Sequence, residues 1–170
     1  RIIRATAMLG ELPLDIAHGF SLVEPVQIAP LRSRLRTDIR VPLQPEEVRL
    51  LVDLPDTETL SGLRDHALLA TFAGSGCRIS EIVGLQVGDI LATQEAWQIR
   101  VLGKGQSKPR LAPLDQQGRD AIDAWLTARS EHIDVQAVFT GFTASAHGQP
   151  TARAITPKTA WRIVRKYAEA

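Results

Sequence analysis

The sequence predicts a helix-dominated α+β domain, on three observations. Apolar residues recur at helical spacing through most of the 170 residues. One stretch in the middle, "AWQIRVLGKGQSKPRLAPL", switches to a period of two around a glycine-rich turn. The one exception to regular patterning is an interrupted, proline-rich stretch near the start.

Residues 1–12, "RIIRATAMLGEL", place Ile2, Ile3, Ala5, Met8 and Leu9 at helical spacing and read as the end of a helix. Pro13, Pro25, Pro30 and Pro42 then break the pattern, giving an extended connector that is basic in its second half. "LQPEEVRLLVDL" opens a helix, with Pro45 early and Glu46 and Glu47 in the first turn. "TETLSGLRDHALLATFAGSG" predicts a more buried helix ended by the pair Gly74 and Gly76. Residues 78–85 predict a short third helix, with Ile79, Ile82 and Val83 inward and Arg78 and Glu81 off that stripe.

In the period-two stretch, Trp97, Ile99 and Val101 share one face and Gln98 and Arg100 the other, so a hairpin follows. "DQQGRDAIDAWLTARS" reads as an amphipathic helix with Ala121, Ile122, Trp125 and Leu126 inward. "AVFTGFTASAHGQP" reads as a short strand and a loop. Thr156 and Pro157 supply the cap and first-turn proline of a last helix, whose apolar stripe is expected at Trp161, Val164 and Ala168.

Composition excludes several classes. Apolar residues make up 44% and charged residues 23%, ordinary for a soluble globular protein. No apolar run is long enough to span a membrane, and no signal-peptide pattern follows Arg1. A single cysteine excludes an internal disulfide framework, and the expected setting is cytoplasmic. His18, His66, His132 and His147 lack metal-ligand spacing, and "GSGCR" lacks the ending of a phosphate-binding Walker loop. Cys77 reads as a small core residue, and no metal or other cofactor is expected.

The net charge of +1 is unevenly spread. "RSRLRTDIR", residues 32–40, sets four arginines against Asp38, and residues 153–170 set Arg153, Lys158, Arg162, Arg165 and Lys166 against Glu169. Such clustering suits a polyanion, although each cluster alone also fits a solvated face.

Three groups of residues could carry chemistry. Arg78 opens a helix, where the dipole disfavours a cation, and Glu81 lies three residues on. The pair is either an ordinary intrahelical ion pair or a preorganised guanidinium clamp for phosphate. Lys104, between two glycines at the hairpin tip, can reach a phosphate or give a proton to a leaving oxygen; otherwise it is a solvated turn. Lys108 and Arg110 make that end of the ribbon basic. In the last helix Lys158, Arg162, Arg165 and Lys166 form a basic face that suits a DNA major groove, with Lys158 placed for a base contact.

Taken in order, "RDHALLATFAGSGCRISEIVGLQVGDI", "VLGKGQSKPRLAPL" and "TPKTAWRIVRKYAEA" resemble the first box, the β-hairpin and the DNA-contacting helix of the tyrosine recombinase (phage integrase) family. The resemblance implies a fold and a domain plan. Residues 1–24 would end a helical core-binding domain, 25–42 would form a basic interdomain linker, and 43–170 would be the N-terminal part of the catalytic domain. It also implies a function, site-specific cleavage and rejoining of double-stranded DNA through a 3′-phosphotyrosine, without metal. Arg78 falls on the catalytic arginine, Glu81 on its supporting acid and Lys104 on the catalytic lysine. DNA contacts would come from Arg32, Arg34, Arg36, Lys108, Arg110, Lys158, Arg162 and Arg165, with self-association into a dimer or tetramer on DNA at the nucleoid.

The family's His-x-x-Arg box occurs nowhere in the sequence, and its only tyrosine, Tyr167, does not match the nucleophile. These 170 residues alone are therefore expected to bind DNA without cleaving it. The alternative is a non-catalytic DNA-binding module or a decayed recombinase remnant.

Overall fold

The computed structural model describes residues 43–93, 96–103, 105, 108–144 and 148–169. The expected core-binding helix, the basic linker with Arg32, Arg34 and Arg36, and Lys104 all lie outside the described residues. Residues 43–170 form one compact unit.

Its element order is α1 (Pro45–Asp53), α2 (Leu60–Ser75), α3 (Ile79–Val83), a single 3₁₀ turn (Val87–Asp89), β1 (Ile90–Ala92), β2 (Trp97–Val101), β3 (Arg110–Leu114), α4 (Gln116–Ser130), β4 (Thr140–Phe142), β5 (Pro150–Ala154) and α5 (Pro157–Ala168). All five helices were legible in the sequence to within a few residues.

α2 is the central helix and packs against α1, α3, α4, α5 and β3. That position explains why it is apolar around most of its girth, with Ala67, Leu68, Leu69 and Ala70 all buried. Thr59 caps its start by accepting the amide of Gly62 at 3.0 Å. Gly76 alone ends it, at φ 59°, donating its amide to the carbonyl of Phe72 at 3.1 Å.

Gly74 was expected to share in ending the helix, but it sits inside α2 and has a packing role. A Cβ there would lie 2.2 Å from Oδ1 of Asp115, the residue that caps α4 through the amide of Gly118 at 2.8 Å. The absence of a side chain at Gly74 lets the capped end of α4 approach α2.

The sheet is larger than a hairpin. β2 pairs antiparallel with β3, Trp97 opposite Leu114 and Val101 opposite Arg110. β1 adds a third strand along the other edge of β2, with Ile90 opposite Ile99. The expected alternation holds where it matters, Ile99 and Val101 being buried and Arg100 exposed. Arg100 bonds Asp89 Oδ1 through Nε at 2.9 Å, which fastens the 3₁₀ turn to the sheet. A second, two-stranded sheet pairs β4 with β5 around an irregularity between Thr140 and Phe142, where the sequence suggested one strand and a loop.

The link between α4 and β4 is held by a buried arginine. Arg129 donates to the carbonyl oxygens of Val135 and Val138 at 2.9 Å, and also to that of Ala137. Burial depresses the guanidinium pKa, with Asp134 opposing that shift. Trp125, fully buried, adds a bond from Nε1 to the Val138 carbonyl at 2.9 Å.

The inward stripe of α5 is rotated from the expected one. Ala160, Ile163 and Tyr167 are buried and Val164 is half-buried, whereas Trp161 is 52% exposed and Ala168 is exposed. Both rows have apolar residues at i, i+3 and i+7, so periodicity alone does not choose between them. The buried row joins the core through Ala160 and Ile163 and ends in a hydrogen bond from Tyr167 to Asp65 of α2.

Candidate functional site

The site is organised by one buried carboxylate. Arg78 is the N-cap of α3 in extended conformation, and Glu81, three residues on, turns back to accept its backbone N–H at Oε2, 2.8 Å away. The carboxylate thus answers the helix dipole that the arginine side chain opposes. Glu81 was expected to lie off the buried face, but its side chain is only 1% exposed.

A carboxylate removed from water is costly unless cations and donors surround it. Two arginines do so. Nη2 of Arg110, on β3, donates to Glu81 Oε2 at 3.0 Å. Nη1 of Arg78 lies 3.6 Å from Oε1, a purely ionic contact that leaves Oε1 without a hydrogen-bond donor among the described residues. The Arg78 side chain is 75% exposed, while its backbone amide is held by Glu81.

The expected pair of Arg78 and Glu81 is therefore present, and Arg110 is a third member that sequence reasoning had placed elsewhere. Arg110 lies 29 residues beyond Glu81, and only the register of β3 against β2 brings it there. The same Nη2 approaches the thiol of buried Cys77 at 3.7 Å. Lys108 is exposed on the loop into β3, and Gly105, in the turn, has φ 76°.

α5 packs beside α3, with Ile79, Trp161 and Val164 lining a shared apolar groove. Lys158, Arg162 and Arg165 all lie on its exposed side. Arg165 is not free: Nε meets Glu169 at 2.5 Å and its guanidinium covers the Trp161 ring at 5.3 Å. Among these cationic residues of the last helix, Lys166 was read only as part of the basic face. Its Nζ bonds the Tyr167 hydroxyl at 3.0 Å and lies 3.8 Å from Asp65.

Tyr167 is buried in the core. Its hydroxyl donates to Asp65 Oδ2 at 3.0 Å, and Asp65 is paired in turn with buried Arg64, whose Nε donates to Oδ1 at 2.9 Å. Arg64 also sits over the Phe142 ring at 4.8 Å. Burial, more than its neighbours, raises the phenol pKa above 10.0. This Arg64–Asp65–Tyr167 chain was missed from sequence, although a charged pair inside an apolar helix was the visible signal.

No helix among the described residues is long and apolar enough to cross a membrane.

The model of the phage integrase family matches residues 42–170. Over 86 residues the chain is 45% identical to the tyrosine recombinase XerC of Myxococcus xanthus, covering 51% of this chain and 28% of that protein. It is 40% identical over 114 residues to XerC of Neisseria meningitidis serogroup B, covering 61% and 37% respectively. The chain thus spans about a third of the length of these curated relatives. Among solved structures, the XerA recombinase aligns with a TM-score of 0.56 at 20% identity, over 78% of this chain and 43% of that one. The XerH site-specific recombinase bound to its difH substrate aligns with a TM-score of 0.60 at 19% identity, over 75% and 35%. These two likenesses establish the fold.

Proposed function

The chain belongs to the phage integrase family, and from that premise we propose that it supplies part of the catalytic domain of a site-specific DNA recombinase. The observation that carries this reading is an exposed arginine fork whose base is fixed by a buried glutamate. Such a fork costs no reorganisation when negative charge builds on a phosphate during strand cleavage. Arg78 is the clamp, Glu81 holds it, and Lys104 at the hairpin tip protonates the departing 5′-oxygen. The attacking group is a tyrosine, and the product of the first step is a 3′-phosphotyrosine.

Lys108, Lys158, Arg162 and Arg165, together with Arg32, Arg34 and Arg36 of the basic stretch, contact duplex DNA. Most of these contacts are to phosphates and Lys158 reads a base. Copies of the whole protein assemble on their DNA target, at the nucleoid. The 170 residues alone bind but do not cleave, because the one tyrosine in their sequence is committed to Asp65 and lacks access to a phosphate.

The test uses a nicked suicide substrate in two arms. The whole protein that carries this chain should leave a covalent protein–DNA adduct, and the 170-residue chain should leave none. Binding by the latter should weaken with salt at a log–log slope of about −0.9 per phosphate contacted. A flat salt response would remove the DNA reading, and an adduct mapped to Tyr167 would overturn the assignment of roles.

A further inference from the structure

We propose that Arg110 is a positioning residue for Arg78, acting through Glu81, and not a phosphate contact. This rests on the reading of Arg78 as the phosphate clamp. The Glu81 side chain is 1% exposed, so its carboxylate lies inside the protein. Oε2 has two donors, the Arg78 amide at 2.8 Å and Arg110 Nη2 at 3.0 Å. Among the described residues, Oε1 has no donor and only the Arg78 guanidinium, at 3.6 Å. Remove Arg110, and the buried charge keeps one amide and one loose cation. The carboxylate must then swing toward Arg78 or admit water, and either response moves the foot of the clamp.

The location of Arg110 gives this contact a second role. It is the first residue of β3, opposite Val101 at the last pair of the β2–β3 ladder. The loop that carries Lys104 leaves and re-enters the sheet at that pair. The Arg110–Glu81 bridge is therefore a side-chain tie between the base of the hairpin and the helix that begins at Arg78.

Arg110 also differs from Arg78 in how it uses its guanidinium. Among the described residues, one nitrogen, Nη2, makes its contacts to Glu81 and to the Cys77 sulfur. A lysine ammonium can replace one donor nitrogen, whereas it cannot replace a bidentate fork. Arg110→Lys should therefore keep the function that Arg78→Lys loses.

Three measurements on Arg110→Gln, Arg110→Lys, Glu81→Gln and the Glu81→Gln/Arg110→Gln double variant decide the matter. In the 170-residue chain, amide hydrogen exchange at Arg78 should accelerate about tenfold in Arg110→Gln relative to Ile122 of α4, and recover in Arg110→Lys. Equal changes at Arg78 and Ile122 would mean general destabilisation and would overturn the proposal. The salt slope of DNA binding should stay as in the wild type; a slope shallower by about 0.9 would make Arg110 a phosphate contact. In the whole protein, single-turnover cleavage at saturating DNA should fall at least about tenfold in Arg110→Gln, with no further loss when Glu81→Gln is already present. Losses that multiply would overturn the route through Glu81. A wild-type protein that leaves no adduct would sink the recombinase reading, while the exchange experiment would still decide whether Arg110 holds the Glu81–Arg78 pair.

Discussion

The hydroxyl of Tyr167 donates to Oδ2 of Asp65 across 3.0 Å, joining α5 to α2 over 102 positions of chain. Asp65 is buried, and its other oxygen is held by Arg64. Tyr167→Phe should leave a buried carboxylate oxygen short of its phenolic donor. The expected cost is about 1–3 kcal/mol in urea unfolding.

The same phenol predicts an alkaline effect. Burial raises its pKa in the folded chain above the ordinary 10.0. The folded state therefore holds the proton more tightly than the unfolded state. That contribution is complete below pH 10.0 and is lost as pH climbs from there through the folded value. Urea titrations between neutral pH and pH 11 should show this loss in the wild type and a shallower loss in Tyr167→Phe.

Gly74→Ala should destabilise although alanine favours helices. Its Cβ would meet the Asp115 carboxylate at 2.2 Å and displace the cap of α4. Overpacking and cap loss together predict a cost of about 1–3 kcal/mol by thermal or chemical unfolding. A neutral or stabilising result would show that Asp115 finds another path to the Gly118 amide.

The rotated stripe of α5 gives a ranked pair. Ile163→Ala removes a buried side chain and should cost about 2–5 kcal/mol. Trp161→Ala, at a position 52% exposed, should cost less than Ile163→Ala, despite the larger side chain removed. The reverse order would restore the stripe expected from sequence.

Arg78→Lys should leave DNA affinity close to wild type and slow cleavage by the whole protein about 10²–10³-fold. Lysine keeps the charge but lacks the planar fork. An unchanged rate would remove Arg78 from the chemistry. Glu81→Gln should slow cleavage by less, since it disturbs the orientation of the clamp and leaves the clamp itself.

How far the sequence could be read follows from the range of each signal. The helices were legible because their signals are local: the cap at Thr156, early prolines at Pro45 and Pro157, a terminating glycine at Gly76, and a 3.6-residue period between them. The strands β1 and β5 were missed for the same reason. Three residues, "ILA", show no period, and "PTARA" pairs across an irregularity with a strand only three residues long. Arg78 and Glu81 were readable as neighbours on one turn. Arg110 was readable as a cation but not as a partner of Glu81, because a sheet register separates the two. The buried Arg64–Asp65 pair was visible as a conflict, two charges inside an apolar helix, whose resolution by Tyr167 required the tertiary structure.

Arg129 restricts the chain in a different way, through length. Its single planar group bonds the carbonyls of Val135, Ala137 and Val138 together. An added or deleted residue between α4 and Val138 would shift all three oxygens relative to a fork that cannot bend. The bond from Trp125 to Val138 would be lost in the same step. Most surface connections absorb insertions cheaply. This one should not, so a linker or tag placed within it should destabilise the fold, even though the segment carries no helix or strand of its own.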